Sequence, residues 1–363
     1  MTMQAVPPPV DPRLGPLATR WTTFLDKVRA RVREINTEAV GAYAEVLSVE
    51  AVDGTAVSGV SSALKARLLA LRQKVDDSWS TIDGEIDKID LDDARVVGRF
   101  RGQMLTLKAA FERELERETE RMIMQGEADS GRALHAVAMQ EIAVAVPCQH
   151  CGAQLDRRNS PWHQAVNLTC PHCKAITTAT PGTAAQSFAM GAGAMFLAKE
   201  IAWPYWCAMQ DAEVAWHRLR HKTLDDLARW EGANRAYWQA FASAMGNVHP
   251  GWTAKHVADE VTGKMSWFLQ TTAADDRTVR EQNGYGIGAV ASGDPNQVAG
   301  WLQHQPDPSN AADMLIEAAI ERGWGQHASW IAQIAQPIVA SDEPGWAAEK
   351  VDEATYYHAT RGE

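Results

Sequence analysis

Four of the chain's five cysteines fall in two C-x-x-C pairs, Cys148-Gln-His-Cys151 and Cys170-Pro-His-Cys173, with 18 residues between the pairs. No other feature of the sequence restricts the fold so tightly. Each pair can form a turn that aims two thiolates and nearby backbone amides at one ion, and two such turns complete a tetrahedral site. The spacing therefore predicts one structural zinc ion (Zn2+) held by Cys148, Cys151, Cys170 and Cys173, with a hairpin in the spacer. Zinc keeps such thiols deprotonated and contributes on the order of 10 kcal/mol to a module too small for a core of its own. Four protein ligands leave no open coordination position, so zinc catalysis is not expected. His150, His163 and His172 are spare nitrogens that could replace one cysteine, and reversible disulfide formation is another use of the same thiols.

Around this insert the apolar residues recur at helical spacing. Trp21, Leu25, Val28, Val32, Ile35, Ala39, Ala42, Val46 and Val49 step by four and three, a seam of four heptads. After a break at Asp53-Gly54, Leu64, Leu68, Leu71, Val75, Trp79, Ile82, Ile86 and Ile89 form a second seam, with one extra step of four. Val97, Phe100, Met104, Leu107, Phe111 and Leu115 form a third, expected to end or bend at Gly126 and at Asp129-Ser130-Gly131. The turn before this third helix is placed at Asp90–Asp93, and the charge run Glu112–Arg121 reads as a solvated face. Three successive amphipathic helices should fold back on one another. The β-branched run Ile142–Val146 is expected to be the strand that leads into the ribbon.

The fold class expected is mainly α: an antiparallel long-helix bundle or hairpin, an inserted small β zinc ribbon and a C-terminal α-helical domain. The divisions fall at 1–14 (a disordered Pro-rich tail), 15–141 (long-helix bundle or coiled-coil hairpin), 142–178 (four-cysteine zinc ribbon), 179–250 (a long helix kinked at Pro204) and 251–363 (C-terminal helices). In the last segment the helices 297–303, 310–322 and 326–338 resemble stacked α-hairpins, with breaks at 273–276, 292–295 and 306–308.

Cys148–Gly152 resembles the C-x-x-C-G knuckle of zinc-ribbon proteins, and Cys170–Cys173 resembles their C-P-x-C knuckle. Lys174 stands where many ribbons have Gly. The resemblance covers residues 147–178 and implies a fold and a metal without implying a task, because ribbons serve transcription factors, ribosomal proteins, enzymes and scaffolds alike. Helical hairpins followed by a four-Cys finger also resemble the coiled-coil regulators that enter the RNA polymerase secondary channel, with Asp90, Asp92 and Asp93 at the corresponding tip. Those proteins are much shorter, and their acidic pattern differs.

The remaining constellations read as structural. Glu213, His217, His221 and Asp225 lie four apart, as a polar stripe of one helix would, and Gly284–Gly288 reads as a turn. Ala185, Ala189 and Gly193 form a small-residue stripe for close helix packing, and Cys207 reads as a small buried hydrophobe. No catalytic constellation stands out. Fourteen tryptophans, several within Trp203–Trp267, suggest anchors for protein association.

A net charge of −11 argues against broad binding to phosphate backbones, although Arg157, Arg158 and Lys174 against Asp156 leave the ribbon locally basic. The reading is thus a non-enzymatic zinc-binding interaction or adaptor protein, self-associating or bound to protein partners, with nucleic-acid binding or transcription regulation through the ribbon as the alternative. The N-terminal MTMQAVPPPVDPRLG lacks the pattern of a secretory signal, and no segment is long and apolar enough to span a membrane, so a cytoplasmic location is expected.

Overall fold

A computed structural model describes residues 11–47, 54–89, 94–158, 160–190, 193–249, 251–272, 277–339 and 345–360. Among them are three long helices, α1 (Gly15–Leu47), α2 (Gly54–Ile86) and α3 (Ala94–Ala143), then strands β1 (Val146–Pro147), β2 (Gln154–Leu155), β3 (Val166–Thr169) and β4 (Ile176–Ala179). Next come α4 (Thr183–Met190), α5 (Gly193–Arg218), α6 (Leu224–Val248) and α7 (Ala254–Thr272). The chain closes with α8 (Arg277–Ala291), α9 (Pro295–Gln303), α10 (Pro308–Glu321), α11 (Gly325–Ala335) and α12 (Trp346–Thr360). The chain is mainly α with a small β insert, and none of the described helices is long and apolar enough to cross a membrane.

Helices α1, α2 and α3 pack on one another through the expected seams, burying Trp21, Leu25, Leu64, Leu68, Val75, Ile82, Phe100, Met104 and Phe111 in one core. Trp21 is fully buried, and its indole N–H donates to the Met104 carbonyl at 3.3 Å, so the largest side chain of the seam also satisfies its polar atom. The α1 seam turns onto Tyr43 after Ala39, whereas Ala42 is only half-buried. Tyr43 lies against Gly126 of α3 so closely that a Cβ there has no room. That contact explains why Gly126 does not end the helix as expected: its missing side chain serves packing. Gly131 does the same, since a Cβ would stand 2.7 Å from the Gly193 carbonyl of α5. Helix α3 consequently runs unbroken for 50 residues.

The second half of α3 packs against α4 and α5, and Ala128, Ala138, Ile142, Phe188, Tyr237 and Phe241 share a second core. Ile142 thus stays on the helix, one turn beyond Ala138, and the expected strand shrinks to Val146–Pro147. A third core joins α8 to α12, with Leu302, Leu315, Ile316 and Ile331 fully buried, and α12 returns to pack on α3.

Residues 179–250 do not form one kinked helix. Helix α5 continues through Pro204, and the break comes at residues 219–223, where Thr223 opens α6 with a capping box. The Thr223 hydroxyl accepts the Asp226 N–H at 3.1 Å, and the Asp226 carboxylate accepts the Thr223 N–H at 2.9 Å. Gly284–Gly288 lies inside α8, not in a turn. Residues 11–14, expected in the tail, are folded: Asp11 to Leu14 form a turn, and Leu14 is fully buried in the bundle core. The Pro-rich residues 1–10, the break at Asp53, the turn Asp90–Asp93 and the break 273–276 lie outside the described residues.

Candidate metal centre

The ribbon is two antiparallel hairpin-like pairs, Val146 opposite Leu155 and Val166 opposite Ala179. Each carries a cysteine turn of the same construction. In the first, the Cys148 N–H donates to the Ala153 carbonyl at 2.8 Å and the Gly152 N–H to the Cys148 carbonyl at 2.9 Å. In the second, the Cys170 N–H donates to the Ala175 carbonyl at 2.9 Å and the Lys174 N–H to the Cys170 carbonyl at 3.0 Å. The two turns face each other and bring the four sulfurs within 4.8 Å of one another. Two pairs that run between the turns, Cys148 to Cys173 and Cys151 to Cys170, stand 3.6 Å apart. Among the described residues this is the group of His, Cys, Asp and Glu side chains placed to hold a metal ion.

The donor set itself calls for a cation. Backbone N–H groups of Cys151 and His150 donate to the Cys148 sulfur and hold its thiol down to about 6. The Cys173 N–H, followed by that of His172, lowers Cys170 as well. At Cys173 the Ala175 N–H also favours the thiolate, yet burial and the sulfurs of Cys151, Cys148 and Cys170 outweigh it and push the thiol up to about 12. Four thiolates this close cannot all ionise without a positive charge at their centre. An ion coordinated by four sulfurs removes that repulsion and closes its own coordination shell.

All four expected ligands are brought together, so no histidine is needed. His150 and His172 are exposed at the tips of the turns, and His163 packs near Gly251, away from the sulfurs. The stripe expected on one helix is not there: Glu213 and His217 are on α5, whereas His221 lies in the α5–α6 turn with its Nε2 2.8 Å from Glu317 of α10.

What the sequence did not disclose is how firmly the ribbon is anchored. Arg157 is buried, and its guanidinium donates to the Thr180 carbonyl at 2.8 Å and to the Glu141 carbonyl, tying the ribbon to the end of α3. Trp162, in the loop between the two cysteine turns, enters the second core with its ring 5.8 Å from His135 and 5.9 Å from Phe188. The buried Thr177 hydroxyl accepts the Gln149 N–H at 3.2 Å and pins the first turn to β4. Only Trp162 carried a signal, as the one Trp, Tyr or Phe in the spacer between the cysteine pairs.

The same contacts change the electrostatic picture. Arg157 is occupied by carbonyls, and Arg158 grips Asp156 through both carboxylate oxygens. Of the basic residues counted for a phosphate footprint, Lys174 alone is both exposed and without an acidic partner, its ammonium on the Pro171 carbonyl at 3.0 Å. No protein-family model matches the chain, and no curated protein or solved structure matches it either. The module therefore rests on its own geometry: a zinc-knuckle arrangement of four cysteines in a helical chain.

Proposed function

We propose that this chain is a non-enzymatic zinc-binding adaptor that works through a protein assembly in the cytoplasm. Four thiolates are a soft donor set of the kind that selects zinc in structural sites, and reducing conditions keep them available. Cys148, Cys151, Cys170 and Cys173 would hold the ion, which supplies the charge that lets them stay ionised together. Its part is to stiffen the ribbon on the α3–α4 junction.

The observation that carries the adaptor reading is an apolar stripe on α5 that faces solvent. Ile201, Tyr205 and Ala208 are spaced by four and three, hence on one face, and Ile201 and Tyr205 remain 53% and 48% exposed. Beside them Trp203 and Trp206 stack at 4.7 Å and are half-buried. A face with this spacing suits the helix-on-helix mode of recognition. Covering Ile201 and Tyr205 in an interface would contribute about 1.5–3 kcal/mol for each side chain fully buried. Most of the tryptophans between Trp203 and Trp267 are core residues instead, Trp216 and Trp230 among them.

A photo-crosslinking residue at position 205, expressed in the native host, tests this. The expected result is a discrete crosslinked protein or a crosslinked second copy, abolished by Ile201→Glu with metal content and helicity unchanged. A monodisperse monomer that forms no crosslink overturns the reading.

A further inference from the structure

Tyr43, near the end of α1, packs on Gly126, and α3 runs on for several turns past that contact. Over those turns its core face is Leu134, Ala138 and Ile142, which join the second core. The opposite face carries Ala133, Ala136, Val137, Gln140 and Ala143, and Val144 follows directly, its N–H on the Glu141 carbonyl at 3.4 Å. At 3.6 residues per turn Gln140 stands opposite Ala138 and Ile142, with Val137 and Val144 beside it at helical spacing. Val137 remains 41% exposed and Val144 63%, and Ala136, Gln140 and Ala143 are exposed as well. A surface helix ordinarily turns charged and polar residues away from its core. Here the outward face is apolar except at its centre.

The charge and the order of its residues specify what fits it. From Ala133 to Pro147 the one acidic or basic side chain besides the stacked His135 is Glu141, whose carboxylate is taken up by the N–H groups of Ala184 and Ala185. A chain of net charge −11 repels its own copies over much of its surface, and an uncharged strip is where two copies can meet without that cost. The strip is also its own complement. In an antiparallel helix pair with a two-fold axis at Gln140, residues equally far before and after it face each other across the interface. Ala136 then meets Val144 of a second copy and Val137 meets Ala143, small against large in both pairs. Gln140 meets itself. Its amide makes no hydrogen bond among the described residues and carries both donors and an acceptor, so two copies satisfy each other where an unrelated apolar helix would leave the amide unpaired.

We propose that two copies of the chain associate through the C-terminal end of α3, as an antiparallel helix pair whose two-fold axis passes Gln140. Ala136 and Ala143 let the helices approach closely, and Met139 lies at the rim, 48% exposed. Glu141 and Arg157 hold this end of α3 in place, so the face is presented on a rigid element. It shares no residue with Ile201 and Tyr205 on α5 and does not depend on the adaptor reading.

Sedimentation equilibrium of the full chain, carrying its metal, should show a reversible monomer–dimer equilibrium. Gln140→Glu and Gln140→Lys each set like charges on one another across the axis and should each weaken dimerisation about tenfold or more, with helicity and metal content unchanged. An equimolar mixture of the two variants should restore the dimer, because the opposite charges then face each other. Substitutions that merely disturbed the helix would not complement one another in this way. Ile201→Glu should leave dimerisation unaffected, which separates this interface from the α5 face. A monomer at every concentration up to about 100 µM overturns the proposal. So does a dimer that both charged variants leave intact, a loss that their mixture does not restore, or a dimer that Ile201→Glu dissociates.

Discussion

The Glu141 carboxylate accepts the backbone N–H of Ala185 at 2.9 Å, so the last turn of α3 caps the first turn of α4 across the whole length of the ribbon. The other carboxylate oxygen accepts the Ala184 N–H at 3.3 Å, and Gly182 lies so close to the carboxylate that a Cβ would displace it. A negative charge at a helix N-terminus satisfies orphan N–H groups and complements the helix dipole. Arg157 takes the Glu141 carbonyl from the ribbon side, so residue 141 joins all three segments. The ribbon is therefore a stiff insert closing a helix–helix junction, unlike a bead on a linker.

This junction determines what metal removal does. Chelation, or Cys170→Ser, should release about one metal per chain and unfold the ribbon, and through Trp162 and Arg157 it should loosen α4 and the end of α3. The α1–α3 bundle around Trp21 and Met104 shares no side chain with that region and should persist. Hydrogen exchange read by mass spectrometry should show protection lost in residues 142–190 and retained in 15–120. Uniform loss across the chain would show that the bundle depends on the metal.

Arg157→Lys should not rescue Arg157→Ala. The guanidinium spans two carbonyls that a single ammonium cannot reach together, and losing two part-buried charge-assisted hydrogen bonds costs about 2–4 kcal/mol. Both variants should unfold at a lower denaturant concentration and release metal to a chelator faster than the parent. A lysine variant indistinguishable from the parent would reduce Arg157 to a point charge.

How much of this was visible in advance depends on the range of the interaction. The seam from Trp21 to Ala39 and the four metal ligands were legible because each is written in local spacing: helical periodicity in one case, the x-x gap of a turn in the other. Gly126 and Gly131 misled for the same reason. Locally a glycine reads as a helix end, and only the α1 ring of Tyr43 and the α5 carbonyl of Gly193 explain its presence. Arg157 and Glu141 act across 16 residues or more, and nothing adjacent in sequence announces their partners. The α6 start was legible and passed over: Thr223-Leu-Asp-Asp226 is a capping-box spacing, obscured by the four-residue repeat of Glu213, His217, His221 and Asp225.

Acid should weaken the contact between the α5–α6 turn and α10. Burial is the main reason the His221 imidazole sits below its usual 6.5, and it prevails over the Glu317 hydrogen bond that acts in the opposite direction. A lowered histidine binds its proton less tightly folded than unfolded. Its contribution to stability is then constant above about 6.5, falls as pH drops through that value, and stops falling below the folded-state midpoint. Titration of the His221 ring followed by NMR should give a midpoint below 6.5. A midpoint above 6.5 would mean that Glu317 outweighs burial and that acid strengthens the contact.

Lys174 offers the opposite kind of test, a substitution that should stabilise. It occupies the position in the second cysteine turn that Gly152 holds in the first, and both are in the left-handed region, at φ of 63° and 73°. Among the described residues Lys174 is the one non-glycine with positive φ, and such a conformation costs a side-chain-bearing residue about 1–2 kcal/mol. The turn imposes it, because the Lys174 N–H must reach the Cys170 carbonyl while Cys173 keeps its sulfur in the four-cysteine cluster. Lys174→Gly removes that strain at the loss of one exposed bond to the Pro171 carbonyl, which is worth less. The variant should hold its metal about five- to tenfold longer against a chelator at neutral pH, with the net gain near 1 kcal/mol. Faster release would mean that the lysine contact, or the reduced backbone freedom of the unfolded turn, outweighs the strain.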